Sequence, residues 1–449
     1  MLKTKLLNAG IFAIALALTN GCTPNEPPQT ASPSPQPSAT PTPIKTAKPI
    51  SIASPTNPNP DANSLIQQYI KKLTNQGYLK EKQGIWVQSN NTLLANHQGT
   101  IPLPAASITK VATTLVTLQT FGPDHQFITL IGATGPLEKG VLKGDLVIQG
   151  GEDPLFVWED AIALGNALNQ KGIKRITGNL IIIGKFYMNF EFDPQISGTL
   201  LKEGLNSQKW SQEAETQYQT LPPNTPKPQI IIDGSVQVLS AIPANIQPLI
   251  RRTSLPLAEL LKKMNQYSNN LMANMLGDSV GGAGVVAEKA AAAAGVPSAE
   301  IQLVNGSGLS EQNRISPRAA CAMFLAIESY LKPYNMTIAD VFTVIGKDPG
   351  ILAERKNIPL LAVVKSGTLD NVSALGGALP TQKQGIVWFV IMNGGENVEE
   401  FRVQQEALLN TLVNEWGKVQ ESPPELTPNP SRKSKTSEND IATTKALER

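Results

Sequence analysis

Ala105-Ala106-Ser107-Ile108-Thr109-Lys110-Val111-Ala112-Thr113-Thr114 sets a hydroxyl three residues ahead of an amine, directly before an apolar run over Thr109 to Leu118 that reads as a helix. Residues three apart share a helix face. Lys110 can therefore reach the Ser107 hydroxyl from the first turn. A serine alcohol is a poor nucleophile unless a neighbour takes its proton during attack. An ammonium cannot do that, so the lysine pKa must fall, through burial or a second cation nearby. On its own the S-x-x-K spacing is weak, because a solvated helix start carries the same residues.

The rest of the chain narrows the chemistry. It has 449 residues, 41% hydrophobic and 16% charged, with a net charge of +2, enough apolar content for more than one core and no signal for a nucleic-acid partner. The two histidines, His97 and His125, are too few for a Ser-His-Asp system and make a poor zinc site. No metal or cofactor is expected, and a hydrolytic serine must find another base.

The start is basic (Met1-Leu2-Lys3-Thr4-Lys5) and the apolar run Ala9 to Leu18 is too short to span a membrane, the layout of a secretory signal over 1–22. The mature protein is then expected in the periplasm or cell envelope. Leu18-Thr19-Asn20-Gly21-Cys22 resembles a bacterial lipobox with its leucine one place early. It would carry a lipid, and a membrane tether, at Cys22; ordinary cleavage nearby is the alternative. Cys321 sits in an apolar stretch and reads as a buried structural thiol. Residues 23–61, rich in Pro, Ser and Thr, read as a solvated linker, and the polar residues 421–449 as a disordered tail.

Between them helical and strand patterns alternate. Ser64 to Gln76 reads as a helix, and Gly84 to Ser89 with Asn91 to Ala95 as a hairpin. Asp145 to Gln149, Trp158 to Lys171 and Asn179 to Ile183 form a βαβ-like unit inside an insert at 129–245. Leu255 to Gly277 is strongly helical, and the alanine-rich Val285 to Ala294 stops at Gly295. Leu360 to Val364, Ala374 to Leu379 and Ile386 to Ile391 read as three strands, followed by a helix with Phe401, Leu408, Leu412 and Trp416 on one side. The expected fold is α/β of the α+β type: an antiparallel sheet flanked by helices, from 62–128 and 246–420, plus one inserted α/β domain.

Two further elements change the standing of Ser107 and Lys110. Tyr267-Ser268-Asn269-Asn270-Leu271 sets a hydroxyl and a carboxamide two residues apart, able to relay a proton and hold a substrate amide. Val363-Val364-Lys365-Ser366-Gly367-Thr368 is an apolar strand ending in a cation, a hydroxyl and a glycine that permits close approach of another backbone. Each has a bland reading, a polar helix junction and a charged strand end. In the order S-x-x-K, S-x-N, K-[ST]-G the three become specific, as the motif set of penicillin-binding proteins and class A β-lactamases.

From about Ser64 to Gly417 the sequence resembles the class C low-molecular-mass penicillin-binding proteins, the D-alanyl-D-alanine carboxypeptidase/endopeptidase family. Gly144-Asp145-Leu146-Val147-Ile148-Gln149-Gly150-Gly151-Glu152-Asp153-Pro154 is similar to that family's entry into an inserted domain. Asn305-Gly306-Ser307-Gly308-Leu309-Ser310 looks like its D-G-S-G-L-S block, with no catalytic role assigned. Departures are the serine in Lys365-Ser366-Gly367, asparagines at 274 and 305 where acids are more usual, and a short interval from Ser107 to Ser268, which points to one insert.

The resemblance implies that Ser107 attacks the carbonyl of a terminal D-Ala-D-Ala bond, Lys110 receives its proton, and Ser268 passes one to the departing amine. Asn270 would bind the peptide side, and Lys365, Ser366, Gly367 and Thr368 would form the strand that holds the terminal carboxylate. Peptidoglycan stem peptides are then the partners and β-lactam antibiotics the inhibitors. Two competing readings are a serine β-lactamase, which shares the motifs but lacks room for the insert, and a silent cell-wall-peptide-binding protein.

Overall fold

The computed structural model describes residues 52–432 and 437–441; the signal segment, Cys22 and most of the linker lie outside them. The chain enters through helix α1 (Pro60–Asn75) and the hairpin β1 (Gln83–Ser89) and β2 (Thr92–His97), then α2 (Thr109–Phe121). The insert follows as β3 (Ile128–Ala133), β4 (Leu146–Gly151), α3 (Trp158–Gln170), β5 (Leu180–Lys185), α4 (Pro194–Gly204), α5 (Gln212–Tyr218), β6 (Val236–Leu239) and β7 (Gln247–Thr253). Helices α6 (Leu257–Gln266), α7 (Asn270–Ser279), α8 (Ala283–Ala294) and α9 (Pro317–Leu331) come next. Strands β8 (Thr343–Val344), β9 (Val363–Leu369), β10 (Val372–Thr381) and β11 (Gly385–Gly394), helix α10 (Val398–Trp416) and strand β12 (Glu438–Ile441) complete the fold.

The main sheet runs β8-β9-β10-β11-β1-β2, every neighbouring pair antiparallel. Side chains alternate across a strand, and here both faces are covered. In β11, Val387, Phe389 and Ile391 enter the core under α1 and α10, while Trp388, Val390 and Met392 enter the core shared with α2, α6, α7, α8 and α9. That double burial makes β11 an unbroken apolar run in sequence. Helix α10 seals the first face with Phe401, Leu408, Leu412 and Trp416, each contributing about 1.5–3 kcal/mol by burial.

The insert has its own sheet, ordered β6-β5-β4-β3-β7-β12, and its own core around Ile148, Trp158, Leu164 and Ile182. Strands β4 and β5 are parallel and joined through α3, the βαβ-like unit. Among the described residues no helix is long and apolar enough to cross a membrane.

Two stretches differ from their sequence reading. The tail at 421–449 was expected to lack structure. Instead Leu426 is fully buried in the helical core, the Asn429 amide donates to Asp340, and Arg432 pairs with Asp124 at 3.0 Å. Residues 438–441 pair with β7 as an edge strand. A single leucine finds a pocket, and its polar neighbours cap groups already at the surface. At the other end the linker reading, 23–61, runs too far: α1 begins at Pro60, and before it Ala53 is already buried, its amide donating to Gln88 Oε1 at 3.3 Å. The helical stretch Leu255 to Gly277 divides into α6 and α7, with Ser268 at the junction.

Candidate active site

Residues Ala106–Ile108 form a single 3-10 turn that runs directly into α2. Ala106, immediately before the hydroxyl, holds a left-handed φ of 45°. Such backbone costs about 1–3 kcal/mol for a residue other than glycine and persists only where the surroundings enforce it. Helix α2 is central rather than solvated: Thr109 through Leu118 are all buried, and Lys110 is 0% exposed.

The Lys110 Nζ has three neighbours. It lies 2.8 Å from Ser107 Oγ, 2.7 Å from Asn270 Oδ1 and 2.7 Å from the Ser307 carbonyl oxygen. Burial first, then the positive field of Lys365, pushes the Lys110 ammonium well below the ordinary lysine range. A neutral amine has two hydrogens and one lone pair. Asn270 and Ser307 offer only acceptors, so they take the two hydrogens and leave the lone pair aimed at the Ser107 hydroxyl. The geometry is that of a base.

Ser268 and Asn270 arrive through the break between α6 and α7. Tyr267 ends α6, Ser268 takes a left-handed φ of 51°, and Asn269 caps α7 by accepting from the Met272 amide at 3.0 Å. The left-handed residue turns its hydroxyl toward β9, and the cap sets Asn270 as the first residue of α7 against Lys110. The motif thus falls at a junction between helices, and the sequence signal for the second start is Asn269, a favoured N-cap type ahead of an apolar run.

Strand β9 closes the other side. Lys365 is 1% exposed, and its Nζ donates to Ser268 Oγ at 3.0 Å and to the Ser366 carbonyl at 2.5 Å. Burial lowers its pKa to about 7. A side-chain carbon on Gly367 would stand 2.9 Å from the Ser107 amide nitrogen and 2.9 Å from the Ala105 carbonyl oxygen. The missing Cβ is what lets β9 lie against the serine backbone. Thr368, the next residue, is exposed, and its hydroxyl accepts from Arg402 Nη2 at 3.0 Å.

The structure thus brings Ser107, Lys110 and Asn270 into one hydrogen-bonded group and Ser268 with Lys365 into a second, with Gly367 between them and Ser107. One participant escaped sequence reading, the Ser307 carbonyl. Its loop is drawn against the 3-10 turn by Gly308, where a Cβ would meet the Ala106 carbonyl oxygen at 1.9 Å. Asn305 organises the loop by accepting from the Ser307 amide, the Ser307 hydroxyl, the Gly308 amide and Asn313 Nδ2. Those are acceptor duties, which a carboxamide oxygen serves as an acid would. The Asn274 carboxamide oxygen, by contrast, is buried without a hydrogen-bond partner.

An antiparallel sheet between two helical layers, with a serine–lysine pair at the start of the central helix and a lysine strand at its flank, defines a penicillin-binding type of protein. The chain belongs to the D-Ala-D-Ala carboxypeptidase 3 (S13) family, whose model matches residues 66–187 and 196–414. A D-alanyl-D-alanine carboxypeptidase of Actinomadura sp. is 33% identical over 195 residues, covering 39% of this chain and 36% of that protein. Carboxypeptidase DacB of Haemophilus influenzae is 26% identical over 128 residues, 28% of this chain and 26% of its own length. These alignments therefore span between about a quarter and a little over a third of the curated relatives' length. Among solved structures, a predatory endopeptidase of Bdellovibrio bacteriovorus, in complex with an immunity protein, superposes with a TM-score of 0.64 at 20% identity, covering 79% of this chain and 99% of that one. Penicillin-binding protein 4 of H. influenzae gives 0.58 at 18% identity, covering 78% and 99%. At these identities the likeness is one of fold.

Proposed function

We propose that this protein is a serine D-alanyl-D-alanine carboxypeptidase or endopeptidase of peptidoglycan, working through an acyl-enzyme on Ser107. The observation that carries the reading is the place of Lys110 Nζ, buried 2.8 Å from Ser107 Oγ with Asn270 Oδ1 and the Ser307 carbonyl oxygen as its other partners. Family membership supports the substrate class.

Ser107 Oγ attacks the carbonyl carbon of the penultimate D-alanine as its proton moves to Lys110 Nζ. The developing oxyanion takes hydrogen bonds from the amides of Ser107 and Thr368, and losing one such donor typically costs about 10²–10³ in rate. Ser268, hydrogen-bonded to Lys365, delivers its proton to the departing amine nitrogen as the C–N bond breaks, and the proton taken up by Lys110 replaces it, leaving that amine neutral again. Asn270 contacts the peptide side. The Ser366 and Thr368 hydroxyls face the terminal carboxylate with Lys365 behind them. Water, deprotonated by Lys110, then attacks the ester, and that proton passes to Ser107 Oγ as the acyl group leaves. A β-lactam acylates the same oxygen, and its opened ring stays attached.

Fluorescent penicillin tests the reading directly. Ser107→Ala and Lys110→Ala are each expected to abolish labelling of protein that still unfolds cooperatively, and persistent labelling of Ser107→Ala would require another nucleophile. Incubation with purified peptidoglycan and separation of the released muropeptides then distinguishes trimming of stem peptides from cutting of crosslinks. Such a substrate also supports export, with a lipid on Cys22 as the tether; incorporation of labelled fatty acid that survives Cys22→Ala would rule the tether out.

A further inference from the structure

The terminal carboxylate needs a cation, and the strand lysine is badly placed to supply it. Lys365 is 1% exposed, faces inward, and spends its Nζ on Ser268 Oγ and the Ser366 carbonyl. Burial also leaves it only partly charged near neutral pH. Lys110, fully buried on its own three partners, is no better. A guanidinium stays charged at any working pH and presents five N–H donors in a plane. One such group touches the site from outside the three motifs.

Arg402 lies on the first turns of α10, and its side chain is 30% exposed. Its Nη2 donates to Thr368 Oγ1, and its Nη1 pairs with Glu399, whose side chain is 77% exposed. Two of its five donors are thus used, one by a hydroxyl at the strand end and one by a carboxylate in water. The backbone behind it is fixed: the Arg402 carbonyl accepts from Arg355 Nη2, and Arg355 is itself bonded to Glu406.

Resting on the peptidase reading, we propose that Arg402 is the residue that recognises the free carboxylate of the substrate's terminal residue, paired with it across Thr368. Arg402 draws the carboxylate to the exposed end of β9, and Thr368 Oγ1, held by the same guanidinium, turns its own hydrogen to the same anion. Lys365 is then left to Ser268 and to the electrostatics of Lys110. The proposal separates two duties that the K-S-G-T stretch would otherwise carry together.

The test uses the full chain with a diacetylated Lys-D-Ala-D-Ala peptide and the same peptide amidated at its terminus. Arg402→Gln is expected to lower kcat/KM for the free acid by about 10- to 100-fold, the range of a hydrogen bond to a charged group, and to move the amide less than about threefold by the same principle. The acid-to-amide ratio collapses. Glu399→Gln removes the competing carboxylate and is expected to keep or raise that ratio. Equal losses on both peptides, an unchanged ratio in Arg402→Gln, or a fall in Glu399→Gln to the same level would assign Arg402 to holding α10 and overturn the proposal. Because the readout is a ratio within one preparation, partial unfolding does not mask it. Acylation by benzylpenicillin and by its methyl ester repeats the comparison without turnover. If the unsubstituted chain neither hydrolyses a peptide nor is acylated, the peptidase reading itself falls, and this proposal with it.

Discussion

Lys365→Met exposes a conflict between stability and chemistry. The unfolded chain binds the lysine proton up to its ordinary pKa of 10.5, whereas the folded chain releases it at about 7. Between those values the unfolded state holds more protons, so stability rises with pH. The cost of the buried amine is fully present below about pH 7 and is gone above 10.5. At about 1.4 kcal/mol per decade it amounts to about 4–5 kcal/mol. Methionine fills a similar volume and does not titrate. It forfeits the bonds to Ser268 Oγ and the Ser366 carbonyl, each about 1 kcal/mol. The variant should therefore be more stable than the wild type by about 2–3 kcal/mol at pH 7, an advantage that fades and reverses as pH approaches 10. Relief of Lys110, whose pKa the neighbouring cation depresses, works in the same direction. Urea unfolding of both proteins at pH 7, 8, 9 and 10, followed by tryptophan fluorescence, gives the difference directly. A difference that stays constant over that range would refute the claim that burial lowers the Lys365 pKa to about 7. The stabilised variant is also expected to lose acylation, because Ser268 loses its donor.

Two substitutions probe how the site is held. Gly367→Ala inserts a carbon 2.9 Å from two backbone atoms of the 3-10 turn, which cannot swing aside as a side chain would. A displacement of about 1 Å at the nucleophile costs on the order of 10² in rate, so penicillin labelling should slow by that order while cooperative unfolding persists; labelling at the wild-type rate would show that β9 does not set the Ser107 amide. Leu426→Ala empties a fully buried site in the helical core and should cost about 2–4 kcal/mol by urea unfolding. A change below about 0.5 kcal/mol, the size expected at an ordinary surface position, would mean that the tail is not part of the fold.

Strands and helices were legible wherever a local pattern carried the physics. The apolar runs at β9, β10 and β11 stand out because both sheet faces are buried, and the amphipathic stripe Phe401, Leu408, Leu412 and Trp416 identified α10 by period alone. The site was legible to the extent that its chemistry needs particular side chains, which is why Ser107, Lys110, Ser268, Asn270 and Lys365 could be singled out before any coordinates. What escaped was of another kind. The Ser307 carbonyl is a backbone atom, and any residue would supply it; only Gly308, packed on the Ala106 carbonyl, brings it to Lys110. Arg402 reads as a surface helix residue, and Leu426 as one apolar letter in a proline-rich tail.

The same distinction says why the motifs alone do not make a base. S-x-x-K brings an amine within reach of an alcohol, but an ammonium in that position would donate to Ser107 and leave it no more nucleophilic than in water. The lowered pKa comes from burial and from the Lys365 field, and orientation comes from two acceptors in other parts of the chain, one on α7 and one in the 305–310 loop. If Lys110 is to turn its lone pair toward Ser107, both acceptors must be filled first. The reactivity of Ser107 therefore depends on how the α6–α7 break and the Asn305 loop close around the lysine, and a sequence that kept the three motifs while loosening either would keep the signature and lose the base.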